Sequence, residues 1–220
     1  MGIFDIIGPI MVGPSSSHTA GAARIGQTAR AILGEPVKKA RITLYGSFAK
    51  TGKGHGTDRA LAAGLMGYAP DSGTIRDALR IAEEKNVDIS FSLSEEDMGH
   101  PNVAKIEAWG VKGAHGVIIG RSLGGGRIMI TNIDGYDVEI TGEEYTLLTR
   151  HHDKPGVVAK VCEELAKEQI NISTMRLFRK GKGSEAVMII HTDQPVPPAV
   201  AEKVKESNEN ITYVMALDII

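Results

Sequence analysis

The sequence predicts an α+β protein of two domains, and two observations carry that reading. Glycine is unevenly spread: of 26 glycines, all but Gly156, Gly181 and Gly183 lie at or before Gly142. The element pattern also changes at that point. Before it, helices precede a long series of alternating strands. After it, the order is strand, helix, strand, strand, helix, strand, the pattern of a ferredoxin-like βαββαβ sandwich. The boundary is set near Thr141-Gly142-Glu143-Glu144, giving domains over residues 1–142 and 143–220.

In the first domain, Ala22–Leu33 reads as a helix that stops at Gly34, with Pro36 just beyond. Ala40–Tyr45 alternates and reads as a strand. Gly46–Gly56, with Gly52-Lys53-Gly54-His55-Gly56 inside it, reads as a loop. Thr57-Asp58 is placed to cap a helix carrying Leu61, Ala62, Leu65 and Met66 on one face. Ser72 or Thr74 opens another helix with Ile75, Leu79 and Ala82. Val87–Leu93 alternates as a strand, and Gly99-His100-Pro101-Asn102 is a turn. Strands follow at Val103–Trp109, Val117–Ser122, Arg127–Ile133 and Tyr136–Ile140, the last two joined by the hairpin signal Asp134-Gly135. Gly124-Gly125-Gly126 within this run marks a bulge, a close backbone approach to a ligand, or a loose connection.

In the second domain, Glu144–Arg150 is a strand and Asp153-Lys154-Pro155-Gly156 a turn into a helix, with Pro155 near its first turn. Val157, Val158, Val161, Leu165 and Ala166 give that helix its apolar face. Strands at Ile170–Phe178 and Ala186–His191, a helix at Pro197–Ser207 and a strand at Ile211–Ile219 complete the set.

Formal net charge is -2 and no basic run stands out, which argues against nucleic-acid binding. No apolar run is long enough for a membrane span. Met1–Ile7 lacks the basic flank and cleavage site of a signal peptide, so a cytoplasmic location is expected. Cys162 is the single cysteine. It cannot form an internal disulfide, a Cys-rich zinc site or an iron–sulfur cluster by itself, and its apolar helical neighbours predict a core position. No metal site is expected in this chain.

The most polar motif is Gly13-Pro14-Ser15-Ser16-Ser17-His18-Thr19-Ala20-Gly21, directly before the first helix. A helix start offers unpaired N–H groups and partial positive charge, so it attracts carboxylates. One serine there would be a cap; Ser15, Ser16, Ser17 and Thr19 together make either an over-decorated cap or a site for a small carboxylate. His55, between two glycines, is either a solvated loop residue or an imidazole brought close to a ligand, where its pKa suits proton transfer. His18 either orients a ligand, donates a proton, or stabilises the helix start. Lys53 can steer anions. The Gly52–Thr57 run lacks the Gly-x4-Gly-Lys-Ser/Thr spacing of a phosphate loop. His115, His152 and His191 carry no motif.

The second domain resembles an ACT domain, the amino-acid-binding regulatory module, through LLTRHHDKPGV at Leu147–Val157 and Ile170-Asn171-Ile172-Ser173. That resemblance implies His151, Asp153 and Asn171 as effector-binding positions, and dimerisation through the domain. The extra carboxylate of Asp153 departs from the amide usual in that pattern. In the first domain, GPSSSHTAG, GSFAKTGKGHGTD, GHPNVAKIE and SLGGGRI occur in order. Together they resemble the β chain of two-chain, iron–sulfur-dependent L-serine dehydratases. The resemblance implies an allosteric-substrate-binding-like domain and a lyase acting in amino-acid degradation and gluconeogenesis. It also implies a heterodimer whose 4Fe-4S cluster sits on the partner α chain. On this chain it implies His55 and His18 as catalytic residues, and Ser15, Ser16, Ser17, Thr19, His100 and Asn102 as contacts to the substrate L-serine. A different class stays open: a non-catalytic, amino-acid-sensing regulatory subunit. Nothing in the chain resembles the pyridoxal-phosphate dehydratases.

Overall fold

The polar Ser15–Thr19 motif feeds into helix α1 (Ala22–Leu33), whose buried stripe includes Ala22, Ile25, Ala29, Ile32 and Leu33. Gly34 ends it in the left-handed region (φ 78°), its N–H donating to the carbonyls of Arg30 and Ala31. The structure is a computed structural model that describes residues 10–179 and 181–220; Met1–Ile7, read above for a leader signal, falls outside them. The chain divides into two compact units between Gly135 and Tyr136.

Five strands form the sheet of the first unit: β1 (Val37–Tyr45), β2 (Asp88–Ser94), β3 (Asn102–Gly110), β4 (His115–Gly124) and β5 (Arg127–Ile133). Their order is β2-β1-β3-β4-β5, with β2 parallel to β1 and the other pairings antiparallel. Alternation sends Ala40, Ile42 and Leu44 of β1 and Ala104, Ile106 and Ala108 of β3 into the core. Helix α1 lies against the sheet where Gly120 of β4 leaves room: a methyl there would stand 2.9 Å from Ile25 Cγ2. Glycines also let α1 and α3 (Thr57–Leu65) touch backbone to backbone. A Cβ on Gly64 would sit 2.0 Å from the Ala23 carbonyl oxygen, and one on Gly26 2.5 Å from that of Leu61.

The Gly46–Gly56 stretch, expected as a loop, is helix α2 (Gly46–His55). Three glycines in ten residues disfavour a helix intrinsically, but tertiary contacts override propensity here. The N–H groups of Ser47 and Phe48 at its open end donate to the Pro101 carbonyl at 2.5 and 3.3 Å. Phe48 is fully buried, and Gly52 lets the helix approach Thr57, whose Cβ would be 3.1 Å from an added methyl. Gly56, at φ 72°, then turns the chain straight into α3. The expected Thr57-Asp58 cap is also corrected. Gly56 holds the cap position without a side-chain bond, Thr57 is buried, and Asp58 Oδ1 accepts from the Arg59 N–H at 2.8 Å. A short 3-10 turn, Gly73–Asp77, capped by Ser72, leads into α4 (Ala78–Glu84). Gly124, Gly125 and Gly126 all have positive φ (94°, 61° and 80°), and the β4–β5 register shifts beside them, as a bulge requires.

The second unit opens with β6 (Tyr136–Ile140), then β7 (Tyr145–His152), α5 (Val157–Lys167), β8 (Ile172–Arg179), β9 (Glu185–Thr192), α6 (Pro198–Glu206) and β10 (Ile211–Leu217). The sheet order is β10-β7-β9-β8, all antiparallel, which is the expected βαββαβ sandwich. Its core joins Leu147, Met188 and Ile190 of the sheet to Val157, Val161 and Leu165 of α5 and Val200 and Val204 of α6. Gly156 at φ 90° precedes α5, so Pro155 stands outside the first turn rather than in it. Cys162 is half-buried on α5 rather than in the core. Among the described residues no helix is long and apolar enough to cross a membrane.

Candidate functional site

Ser16–Gly21 is wound as a π-helical turn, and Ser15 caps it in extended conformation (φ -141°, ψ 123°). Such wide turns are rare and recur at functional sites. Ser15 Oγ accepts from the His18 N–H at 3.2 Å, which makes Ser15 the cap of the turn. A methyl on Gly21 would stand 2.1 Å from Ser122 Oγ, so the turn lies directly on β4. Arg24 of α1 donates to the Gly126 carbonyl at 3.3 Å. The serine motif and the triple-glycine motif, more than 90 residues apart in sequence, are thereby joined.

The second motif arrives on α2. The His18 and His55 ring centroids are 4.8 Å apart at 40°, and Phe48 packs edge-on against His18 at 5.2 Å. His18 Nε2 lies 3.1 Å from Thr51 Oγ1 and 3.2 Å from Ser47 Oγ. His55 Nδ1 lies 2.9 Å from the Thr51 carbonyl oxygen. A carbonyl only accepts, so Nδ1 of His55 carries the hydrogen and the neutral ring presents a bare Nε2. Thr19 Oγ1 donates to the His55 carbonyl at 3.3 Å, tying the two motifs together. Burial pushes the His18 pKa below the ordinary imidazole value of 6.5, the neighbouring His55 pushes the same way, and a hydrogen bond with the Ser47 backbone opposes them.

A hollow of about 370 Å³ opens where these motifs meet, lined by Gly13, Pro14, Thr19, the Lys53–Gly56 segment, Arg59 and Arg76 among others. Lys53, Arg59 and Arg76 bring three positive charges to it, and among the described residues that line it there is no carboxylate. Its potential suits a small anion.

His100 and Asn102 sit at the start of α2, where Gly46 bridges to Asn102. The Asn102 N–H donates to His100 Nδ1 at 3.2 Å. Burial lowers the His100 pKa, with Arg121 acting in the same sense. Asn102 Oδ1 is buried with no hydrogen-bond partner among the described residues. The structure thus gathers Ser15, His18, Thr19 and His55 in direct contact and puts His100 and Asn102 against the first turn of the helix that carries His55. Ser47, Thr51, Arg59 and Arg76 were not singled out from the sequence. The signal for the first two was the spacing Ser47, Thr51, His55, which shares one face only once the segment is a helix.

His151, Asp153 and Asn171 belong to the second unit. His151 is 1 % exposed, and burial lowers its pKa. Asp153 Oδ2 accepts from Arg179 at 2.7 Å and from the Gly183 N–H at 3.3 Å. Asn171 Nδ2 donates to Asp193 at 2.7 Å. An effector held by these residues would have to displace those partners.

The donor set of this chain does not fit an iron–sulfur cluster. Such clusters are held by several thiolates, and the sequence has one cysteine. Among the described residues no three His, Cys, Asp or Glu side chains are grouped to hold a metal ion.

Residues 2–87 match the family described as "Serine dehydratase beta chain", and residues 145–208 match the ACT domain. The chain is 43% identical over 204 residues to the "Probable L-serine dehydratase, beta chain" of Bacillus subtilis, covering 93% of this chain and 92% of that one. It is 37% identical to the "L-serine dehydratase, beta chain" of Peptoniphilus asaccharolyticus, covering 88% and 87%. It is also 31% identical to a D-3-phosphoglycerate dehydrogenase of Methanocaldococcus jannaschii, over 84% of this chain and 35% of that protein.

Proposed function

Because the chain belongs to the serine dehydratase beta-chain family, we propose that it works as one half of a two-chain L-serine dehydratase, converting L-serine to pyruvate and ammonia in the cytoplasm with an α partner. The observation that supports this reading is that His55, stacked beside His18, lines a hollow to which Lys53, Arg59 and Arg76 bring positive charge. A 4Fe-4S cluster is assigned to the α chain, where it would act as Lewis acid toward the substrate hydroxyl.

This chain's own residues then have two tasks. Ser16 and Ser17 hold the serine carboxylate, while Thr19, whose hydroxyl hydrogen goes to the His55 carbonyl, lines the hollow to which Lys53, Arg59 and Arg76 bring positive potential. That charge also favours loss of the Cα proton, because negative charge builds on the carboxylate as the carbanion forms. His55 takes the proton at Nε2, the nitrogen left bare by the Thr51 carbonyl bond. His18 stays neutral beside it, since two adjacent imidazolium ions would repel each other. His100 and Asn102 contact substrate from the start of α2. In the second unit, His151 and Asp153 stand at the Ala186 end of β9 and Asn171 at the Thr192 end, so an effector would take these positions from two copies of the domain, which dimerisation through the ACT domain would supply.

The ACT domain also favours a second reading, a sensor subunit that lends no catalytic group. One experiment separates the two. Wild-type or His55→Ala chain is added anaerobically to purified α chain, and pyruvate is measured. Only the wild-type chain should restore turnover. Equal restoration by both would establish the sensor.

A further inference from the structure

We propose that Thr51 is the positioning residue of the imidazole pair, its carbonyl holding His55 and its hydroxyl holding His18 in opposite tautomers. Thr51 has one hydroxyl hydrogen, and it is committed. Thr51 Oγ1 donates to the Ser47 carbonyl one turn back at 3.0 Å. Toward His18 Nε2, 3.1 Å away, the same oxygen can therefore only accept. His18 then carries its hydrogen on Nε2, and its bare nitrogen is Nδ1. Ser15 Oγ lies 3.4 Å from that Nδ1. Since Ser15 Oγ already accepts from the His18 N–H, its own hydrogen is available to satisfy Nδ1. Ser47 Oγ, 3.2 Å from the same Nε2 and 3.3 Å from Thr51 Oγ1, fits this arrangement by also accepting from Nε2–H and donating its own hydrogen to Thr51.

His55 is fixed the other way round. Its Nδ1–H is spent on the Thr51 carbonyl, and its bare nitrogen is Nε2. Two rings 4.8 Å apart are thus made inequivalent by one residue. His55 offers a proton acceptor, and His18 offers none that is not already engaged by Ser15. The division of labour within the pair is built into Thr51 and needs no substrate to create it. The acid–base consequence rests on His55 being the base of the dehydratase. The tautomers themselves do not.

The test uses the full chain labelled with 15N at histidine. Long-range proton–nitrogen spectra report the tautomer of each neutral ring directly. Wild type should show His18 as Nε2–H and His55 as Nδ1–H. Thr51→Val keeps the backbone carbonyl and the side-chain shape but removes the hydroxyl. It should lower the Nε2–H fraction of His18 and leave His55 unchanged, while Thr51→Ser restores the wild-type spectrum. His115 and His191, remote in sequence, report whether the fold is intact. With the α chain, Thr51→Val should reduce kcat about three- to tenfold, the worth of one hydrogen bond, shift the pH profile, and change KM little. A wild-type His18 tautomer in Thr51→Val overturns the proposal, whatever the activity of the complex. Loss of all activity on His55 variants with wild-type tautomers elsewhere bears on the function and leaves the Thr51 assignment standing.

Discussion

His18 and His55 come from segments 37 positions apart and lie ring against ring, 4.8 Å between centroids. His18 reaches that place on a π-helical turn capped by Ser15, and His55 reaches it as the last residue of α2. The contact links a polar, serine-rich helix start to a glycine-rich helix end, and most of the expected chemistry depends on it.

The hydroxyls of the first motif are expected to act on substrate binding. Ser16→Ala and Ser17→Ala should each raise KM for serine about ten- to hundredfold, in keeping with one hydrogen bond to a charged group, and change kcat less. Steady-state kinetics of the reconstituted complex checks this. Unchanged KM in both variants removes these hydroxyls from the carboxylate site.

The cations of the hollow make a separate prediction. Arg59→Gln and Arg76→Gln should raise KM, and the double variant more than either single one. Exposed charges are screened by salt, so KM of the wild-type complex should rise between low and high ionic strength, and less so in the double variant. An identical salt dependence in both would place the substrate elsewhere.

Stability should fall on the acid side of neutrality. His18, His100 and His151 all have folded-state pKa values held below 6.5 by burial. The unfolded chain therefore binds protons that the folded one refuses, and stability rises with pH across that window. It is fully present above pH 6.5 and is lost as pH falls through the unfolded value toward the lowered folded ones. The carboxylates with lowered pKa, Asp153 and Glu163 (the latter to about 2), act only below their ordinary values of 3.8 and 4.5. A thermal melt from about pH 8 to about pH 5 should show Tm declining from pH 6.5 downward. His151→Gln should flatten the decline.

Packing of α1 on α3 should tolerate no side chain at Gly64. A methyl there meets the Ala23 carbonyl oxygen at 2.0 Å, and backbone cannot swing aside as a side-chain tip can. Gly64→Ala should cost about 1–3 kcal/mol or more, the range for overpacking, whereas Gly54→Ala, with nothing within 4 Å, should be nearly neutral. Denaturant melts of the two variants test the difference.

What could be read from the sequence followed from local signals. The α1 stop at Gly34, the Asp134-Gly135 turn and the alternating strands β2 to β6 each rest on period or turn chemistry within a few residues. The ACT sandwich was legible because its apolar periods are clean. Helix α2 was not. Gly46, Gly52 and Gly54 argue for a loop, and what makes it a helix is remote: the Pro101 carbonyl at its start and the burial of Phe48. Missing the helix concealed Ser47 and Thr51, because their shared face with His55 exists only at helical spacing. Arg59 and Arg76 were illegible for a similar reason. They reach one hollow from separate elements, and no linear motif joins them.

His55 as the proton acceptor at the serine Cα is the central assignment. The direct measurement is exchange of the Cα proton of serine with solvent deuterium, in the anaerobic complex of this chain with its α partner. With the wild-type chain, exchange and turnover should both be seen. With His55→Gln, exchange should slow by about a hundredfold or more, the usual worth of a positioned general base, while serine still binds. Exchange at the wild-type rate in His55→Gln would contradict the assignment.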